Sequence, residues 1–437
     1  MATIVVHDRE HEVEEGQNLL RAILALGYDQ PYFCWHPSLG SVGACRQCAV
    51  KQFRDTDDTA GSIVMACMTP VSDGLRISID DPEAREFRAS VIEWYMTNHP
   101  HDCPVCDEGG ECHLQDMTVM SGHSARKYRF NKRTYRNQDL GPFISHEMNR
   151  CIQCYRCVRF YRDHAGGEDL NVFGSRNRLY FGRVTDGVLE SAFSGNLVEI
   201  CPTGVFTDKN HEARTVRSWD LQTAPSVCML CGLGCNTLPG ERNATLRRIR
   251  NRYHGEINRY FLCDRGRFGA EFVNSPRRFR HPVVRTNGHP KTVTSAEAVD
   301  HVASLMGAGD VIGIGSPRAS LEANFALSRL VGPENFYSGI GADETARLQA
   351  VVELLQSPPC RTPTLRDVEE ADAVLILGED VSNTAPLLDL AVRQATLNAP
   401  LDEARELGIP GWNDFFNRLV VNHRRGPLFI ATPAPTG

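Results

Sequence analysis

No apolar run in this sequence approaches the ~20 residues that a membrane-spanning helix needs. The first residues, MATIVVHDREHEVEEGQ, contain neither the basic n-region nor the apolar h-region of a secretory leader. Both absences predict a chain that stays in the reducing compartment where it is made, and no direct membrane span. Neither sign of charge dominates, since 47 Lys and Arg against 54 Asp and Glu leave a formal charge of −7. That balance gives no reason to expect a nucleic-acid partner. Cysteine is nearly missing from the C-terminal part, where only Cys360 follows Cys263. A complete G-x-G-x-x-G is missing too: GIGSPR carries Arg318 where the third glycine would stand, so the segment reads as scaffold.

What is present is cysteine, sixteen in 437 residues, fifteen of them from Cys34 to Cys263. Under reducing conditions such density points to metal binding or catalysis rather than to disulfides. The spacing sorts the fifteen into four groups.

Cys34, Cys45, Cys48 and Cys67 place a C-x2-C between one earlier and one later cysteine, a relative of the plant-type [2Fe–2S] ferredoxin loop. Gly40 and Gly43 would let the backbone pass close to the cluster sulfurs. Upstream, TIVVHD and HEVEE read as a strand pair and QNLLRAILAL as a helix, which suits a ferredoxin β-grasp. A four-cysteine zinc site is the alternative.

The second group, in NHPHDCPVCDEGGECHLQD, has only three cysteines, Cys103, Cys106 and Cys112. A neutral imidazole can supply a fourth ligand. His99, four residues before Cys103, has the better reach; His101 is only two before it. Zinc held by three cysteines and one histidine is again allowed.

The third group is CIQCYRC, Cys151, Cys154 and Cys157. Bacterial ferredoxins continue such a run with x3-C-P, and that last cysteine serves the other cluster. Here Tyr161 takes the in-run position, while Cys201-Pro202 supplies the distant partner. Counting back from Cys201 by the same rule meets Leu197, Ser194 and Ser191, so the module has kept one [4Fe–4S] site and lost the other. The fourth group, Cys228, Cys231, Cys235 and Cys263, fits zinc taken alone and a cluster in this company. Basic residues gather close by: Arg156, Arg159, Arg162 and the run RKYRFNKRTYR over 126–136. They read first as a solvated or subunit-facing surface and second as compensation for cluster charge.

These motifs in this order, with MTNHPHDCPVCDEGG, NRCIQCYRCVR, NLVEICPTGVFTDK and YFLCDRGRFG, resemble the large iron–sulfur subunit (the G subunit) of bacterial proton-pumping NADH:quinone oxidoreductase, respiratory complex I. The resemblance implies one [2Fe–2S] cluster on Cys34, Cys45, Cys48 and Cys67. It implies three [4Fe–4S] clusters, on His99, Cys103, Cys106 and Cys112; on Cys151, Cys154, Cys157 and Cys201; and on Cys228, Cys231, Cys235 and Cys263. The last occurs in only some members, off the main electron path. It implies, further, an electron wire through the [2Fe–2S], His-ligated and third-group clusters, with NADH and quinone sites on other subunits. The partners would be the flavin/NADH-binding subunit, a small [2Fe–2S] subunit and cluster-bearing connecting subunits. The place would be the peripheral arm on the cytoplasmic side of the bacterial inner membrane. Members are usually about twice as long, so this chain is a fragment or a short member. An iron hydrogenase or molybdenum formate dehydrogenase shares similar front modules, but a hydrogenase would need further cysteine motifs after residue 264. A zinc-bound structural or interaction module is the other rival.

The expected fold is multidomain, α+β then α/β. It comprises a ferredoxin-like β-grasp (1–80), a His/Cys-ligated cluster segment (81–140), a bacterial-ferredoxin-like single-cluster module (141–217) and a molybdopterin-oxidoreductase-type [4Fe–4S] domain (218–274). A partial molybdopterin-oxidoreductase-like α/β domain without cofactor (275–437) follows. There DVIGIG (310–315) reads as a buried strand and DAVLILGED (372–380) as another. The segments 320–331 and 344–356 read as helices, and the alternation implies a parallel, doubly wound sheet. Arg265 replaces the lysine that many molybdenum enzymes place after the quartet, and Cys360 lacks a following histidine. No molybdopterin is expected, and Cys360 reads as a free thiol. Beyond about 400 the sequence assigns no fold.

Overall fold

The alternating N-terminal stretch forms the expected strand pair, Ala2–Val6 (β1) antiparallel to Arg9–Val13 (β2) with Ala2 opposite Val13. Leu19–Ala25 (α1) follows, and the Asn18 side chain caps it by accepting from the Arg21 N–H. Ala49–Phe53 (β3), Ser62–Met65 (β4) and Arg76–Ser78 (β5) complete a sheet in the order β2-β1-β5-β3-β4, in which β1 and β5 run parallel. Leu19, Leu20 and Ile23 of α1 pack on Ile4, Val6, Val50 and Ile77. This is a computed structural model, and it describes residues 1–212, 216–358 and 361–434.

Pro82–Asn98 (α2) starts on an Asp81 cap with proline in its first turn. It turns Ile92 and Met96 toward Phe33, Cys34 and Cys45, and toward Leu114 and Met117 of His113–Met120 (α3). Residues 141–212 are built from short pieces around a core of Phe160, Tyr161, Phe181, Phe193, Leu197 and Phe206. The pieces are the antiparallel pairs Ile144–His146 with Phe206–Asp208 and Asn171–Phe173 with Tyr180–Gly182, and the helix Asn196–Ile200. Arg159–His164 winds as a π-helix, a form common at functional sites. A hairpin of Asn236–Arg242 and Thr245–Asn251 carries the next segment.

By its contacts the chain forms two compact units, residues 1–270 with 364–437, and residues 271–363. The smaller unit holds the helices Ser295–Met306, Leu321–Val331 and Ala342–Gln356, so the helices expected over 320–331 and 344–356 are present. The strand expected over 310–315 shrinks to Gly313–Ile314, parallel to Phe336–Tyr337. Nor is it buried: Ile312 and Ile314 are 61% and 68% exposed. A ladder of two strands has no interior for them. In the larger unit, Val374–Leu377 pairs in parallel with Leu428–Ala431. These two pairings are parallel as expected, but the described residues of 275–437 form three separate two-stranded sheets rather than one doubly wound sheet, and one of them is the antiparallel pair Val283–Thr286 with His289–Thr292.

Beyond residue 397 the larger unit adds the helices Asn398–Glu406 and Asp414–Val421. The turn between them lies on the first cysteine loop: the Ser41 N–H donates to the Trp412 carbonyl (2.8 Å) and the Asp414 N–H to the Ser41 carbonyl (3.1 Å). Cys360 lies outside the described residues. No helix among them is long and apolar enough to cross a membrane.

Candidate metal centres

The first group converges. Cys34, Cys45, Cys48 and Cys67 are all buried, the Cys34 side chain reaches those of Cys45 and Cys67, and Cys67 reaches Cys48. The Cys67 N–H points at Cys48 Sγ (3.4 Å). Arg46, inside the C-x2-C, has φ +58, a left-handed twist that turns both sulfurs to one side. Gly40 and Gly43 share φ +65, and their close neighbours are the Trp412 backbone and the Met68 side chain. A Cβ at Gly40 would lie 2.5 Å from the Trp412 carbonyl oxygen, and one at Gly43 would lie 3.0 Å from Met68 Cγ. Backbone conformation at both positions, and the tail at Gly40, require glycine here.

In the third group Cys151, Cys154, Cys157 and Cys201 line one small pocket with Ile152, Phe181 and Phe206. Gln153 and Tyr155 between the cysteines are again left-handed, with φ +57 and +63. The Gln153 N–H points at Cys151 Sγ (3.3 Å).

In the second group Cys106 and Cys112 are buried and face one another electrostatically. Arg217 draws the loop together by donating to the carbonyls of Cys106 and Gly109 (2.6 and 3.0 Å) and of Cys103 (3.4 Å). The two histidines differ. His99 ends α2, is buried, and its Nδ1 has no hydrogen-bond partner. Its ring lies against Arg150, which also faces Cys106. His101 is exposed, with Nδ1 against Lys132 Nζ at 2.9 Å. A buried ring nitrogen without a hydrogen-bond partner is a donor that a cluster iron could take. Gly204 fits the same reading, because a Cβ there would lie 2.7 Å from Cys106 Sγ.

In the fourth group Cys228, Cys231 and Cys263 all act on the Cys235 thiol, and the Cys228 N–H bonds the Cys235 carbonyl (2.8 Å). The Gly266 N–H points at Cys263 Sγ (3.3 Å). Burial pushes the thiols of Cys112, Cys154 and Cys235 up to about 12. Bare, they would stay protonated at neutral pH, so a bound metal must displace those protons. Burial likewise lowers His99 to about 4, leaving the neutral imidazole that ligation requires. Among the described residues no three His, Cys, Asp or Glu side chains are arranged to hold a single metal ion.

Three of the groups share one apolar core: Cys34 and Cys45, Cys112, and Cys154 all pack with Phe33, Ile92, Met96 and Ile152. Within it the third group neighbours both others. Tyr95 donates to the Cys45 carbonyl (2.8 Å) and its ring feels the charge of both Cys45 and Cys154. On the other side Cys112 Sγ lies 3.8 Å from the Pro202 carbonyl, next to Cys201. The first and second groups meet through His113, edge-on to Tyr32 and Phe33.

Arg156 and Arg159 are not the solvated surface expected of them. Both are buried. Arg156 donates to the carbonyls of Trp35 (2.7 Å) and Ile200 (3.3 Å); Arg159 donates to those of Cys34 (2.8 Å) and Gly40 (2.9 Å). They stitch the first cysteine loop to the third. In the run over 126–136, Lys132 reaches the His99 carbonyl and Arg133 reaches Asn98 Oδ1 (3.2 Å), while Lys127, Arg129 and Arg136 stay exposed. Nothing in the sequence pointed to Arg217, Trp412 or Asp414, and it marked Arg156 and Arg159 only as a surface or as compensation for cluster charge. Tyr95 could have been found, since it shares the helical face of Arg88, Ile92 and Met96.

Family models match successive segments. Residues 1–82 match a 2Fe-2S iron-sulfur cluster binding domain, and 88–127 match the NADH-ubiquinone oxidoreductase-G iron-sulfur binding region. Residues 141–207 match the NADH-quinone oxidoreductase subunit 3 ferredoxin-like domain. Residues 221–275 match a molybdopterin oxidoreductase Fe4S4 domain, and 278–403 match molybdopterin oxidoreductase. The chain is 59% identical over 436 residues to the G subunit of NADH-quinone oxidoreductase from Pseudomonas fluorescens, covering 100% of this chain and 48% of the relative. It is 58% identical to that of Shewanella oneidensis over 433 residues, covering 99% of this chain and 48% of the relative. It is 59% identical to that of Escherichia coli K12 over 431 residues, covering 98% and 48%. The chain thus spans about half the length of the curated relatives it matches. A crystal structure of NAD+-reducing [NiFe]-hydrogenase in the H2-reduced state aligns at 28% identity with a TM-score of 0.43, over 48% of this chain and 87% of that one.

Proposed function

We propose that the chain, which is similar over its whole length to about half the length of the G subunits of NADH-quinone oxidoreductase, is a member of that family and an electron wire between a flavin-bearing, NADH-oxidising partner and a quinone-reducing partner. The first group, on a β-grasp, holds a [2Fe–2S] cluster. His99, Cys103, Cys106 and Cys112 hold a [4Fe–4S] cluster, as do Cys151, Cys154, Cys157 and Cys201, and the quartet ending at Cys263. The clusters supply one-electron chemistry; the chain supplies position, burial and hydrogen bonds that set their potentials. The observation that carries this reading is the core shared by Cys34, Cys45, Cys112 and Cys154. It also supports an order that differs from the order of the motifs in the sequence, first group to third group to second. Tyr95 joins Cys45 to Cys154, and Cys112 Sγ lies against the Pro202 carbonyl beside Cys201, whereas the first and second groups meet through the intervening rings of His113, Tyr32 and Phe33. The complex would place this chain in a peripheral arm on the cytoplasmic side of the membrane, among the flavin, small [2Fe–2S] and connecting subunits.

EPR of the dithionite-reduced protein, with iron and acid-labile sulfide counted per chain, tests the reading. About fourteen irons are expected from one [2Fe–2S] and three [4Fe–4S] clusters. Zinc in place of iron would overturn it.

A further inference from the structure

A two-cluster ferredoxin module has eight cysteine positions, and in this chain four of them read Tyr161, Ser191, Ser194 and Leu197. The fold brings these positions together. The Ser191 N–H donates to the Tyr161 hydroxyl at 3.1 Å. Tyr161 and Leu197 are both 0% exposed in one core, and Ser194, 3% exposed, lies just before the helix Asn196–Ile200.

The tyrosine is built in. Its hydroxyl donates to Asp169 Oδ1 (2.5 Å), and Asp169 Oδ2 in turn accepts from Arg183 and from the Glu190 N–H (3.2 Å). Gly167 leaves room for the ring, because a Cβ there would lie 2.3 Å from Tyr161 Cε1. The position lies between two cysteine groups. One turn of helix leads from Leu197 to Cys201 of the third group. On the other side Ser194 Oγ and the Gly195 N–H donate to the Asp264 carboxylate (2.5 and 2.7 Å), next to Cys263 of the fourth group.

We propose that Tyr161 plugs the place of a second [4Fe–4S] cluster, and that this plug is what isolates the fourth cysteine group from the third. A cluster here would pass one electron from the reduced third-group cluster to the oxidised fourth-group cluster. A hydrogen-bonded phenol offers no carrier in the range of potentials that iron–sulfur clusters span. The inference rests on the cluster assignment proposed above.

The test uses the full-length protein in its assembled complex, with NADH as electron source. Tyr161→Cys/Ser191→Cys/Ser194→Cys/Leu197→Cys should gain about four irons and four sulfides per chain, the content of one [4Fe–4S] cluster. It should show a new EPR signal, and its fourth-group signal should then appear together with the others after NADH is mixed in. The triple variant that keeps Tyr161 should gain no iron, because the ring fills the space. An assembled quadruple variant with native iron content overturns the proposal. So does a native protein whose fourth group is reduced along with the rest, a measurement that needs no variant. Native protein without iron would instead overturn the cluster assignment itself.

Discussion

Arg159 Nε donates to Asp414 Oδ2 at 2.7 Å, across 255 residues of sequence. The same guanidinium holds the Cys34 and Gly40 carbonyls, so one buried cation ties the third cysteine group, the first cysteine loop and the tail. Removing one partner of a buried pair costs about 3–5 kcal/mol, much of it from the charge left behind.

Arg159→Met should therefore destabilise the protein by about that much. It should also lower the potential of the first-group cluster, since a positive charge leaves its surroundings. Asp414→Asn keeps an acceptor but leaves the buried Arg159 cation without its carboxylate, so its cost falls in the same range, about 3–5 kcal/mol. Chemical denaturation and redox-titrated EPR measure the two effects; a wild-type melting point and potential in Arg159→Met would remove the arginine from this role.

His99 and His101 should separate cleanly. His99→Ala should abolish the second group's EPR signal, and His99→Cys should retain a cluster at lower potential, because a thiolate adds negative charge where the imidazole had none. His101→Ala should leave the signal alone. The opposite pattern would reassign the ligand.

Cys201→Ser should cripple the third-group cluster although 44 residues separate it from Cys157. Because that group neighbours both others, reduction of the second group by NADH should fail while reduction of the first group persists. Unchanged iron content and quinone reduction in this variant would sink the assignment.

The pH dependence of stability should carry the mark of His146. Burial holds its pKa at about 4, against an ordinary 6.5, with Nδ1 accepting from the Gln138 N–H and Nε2 against the Phe181 carbonyl. The unfolded chain binds a proton between those two values and the folded chain does not. Stability is therefore unaffected above pH 6.5 and is lost as pH falls from 6.5 toward 4, by about 3 kcal/mol at most for this residue. Urea midpoints of wild type and His146→Asn, compared at pH 7 and pH 5, should draw closer at the lower pH.

Much of the site was legible because ligand chemistry leaves short-range spacing in a sequence. Cys151, Cys154 and Cys157 announce themselves within seven residues, and Cys201 follows from the ferredoxin rule. His99 was separable from His101 by reach along the chain. Arg159 was not legible, because its partners are backbone carbonyls, which every residue has, and an aspartate in the tail. The strand at 310–315 misled for a related reason: an apolar run records a demand for burial, and one pairing partner cannot meet it. Tyr161 shows the converse, a place marked by what the spacing rule expected and did not find.

The tail's grip on the first cysteine loop has a consequence for how the molecule is made. Ser41 and Gly40 are translated several hundred residues before Trp412 and Asp414, which is tens of seconds at about 5–20 residues per second. Until the later residues leave the ribosome, one wall of that loop is missing. Synthesis thus leaves an interval in which the loop is open on that side, and the arrival of Trp412 ends it.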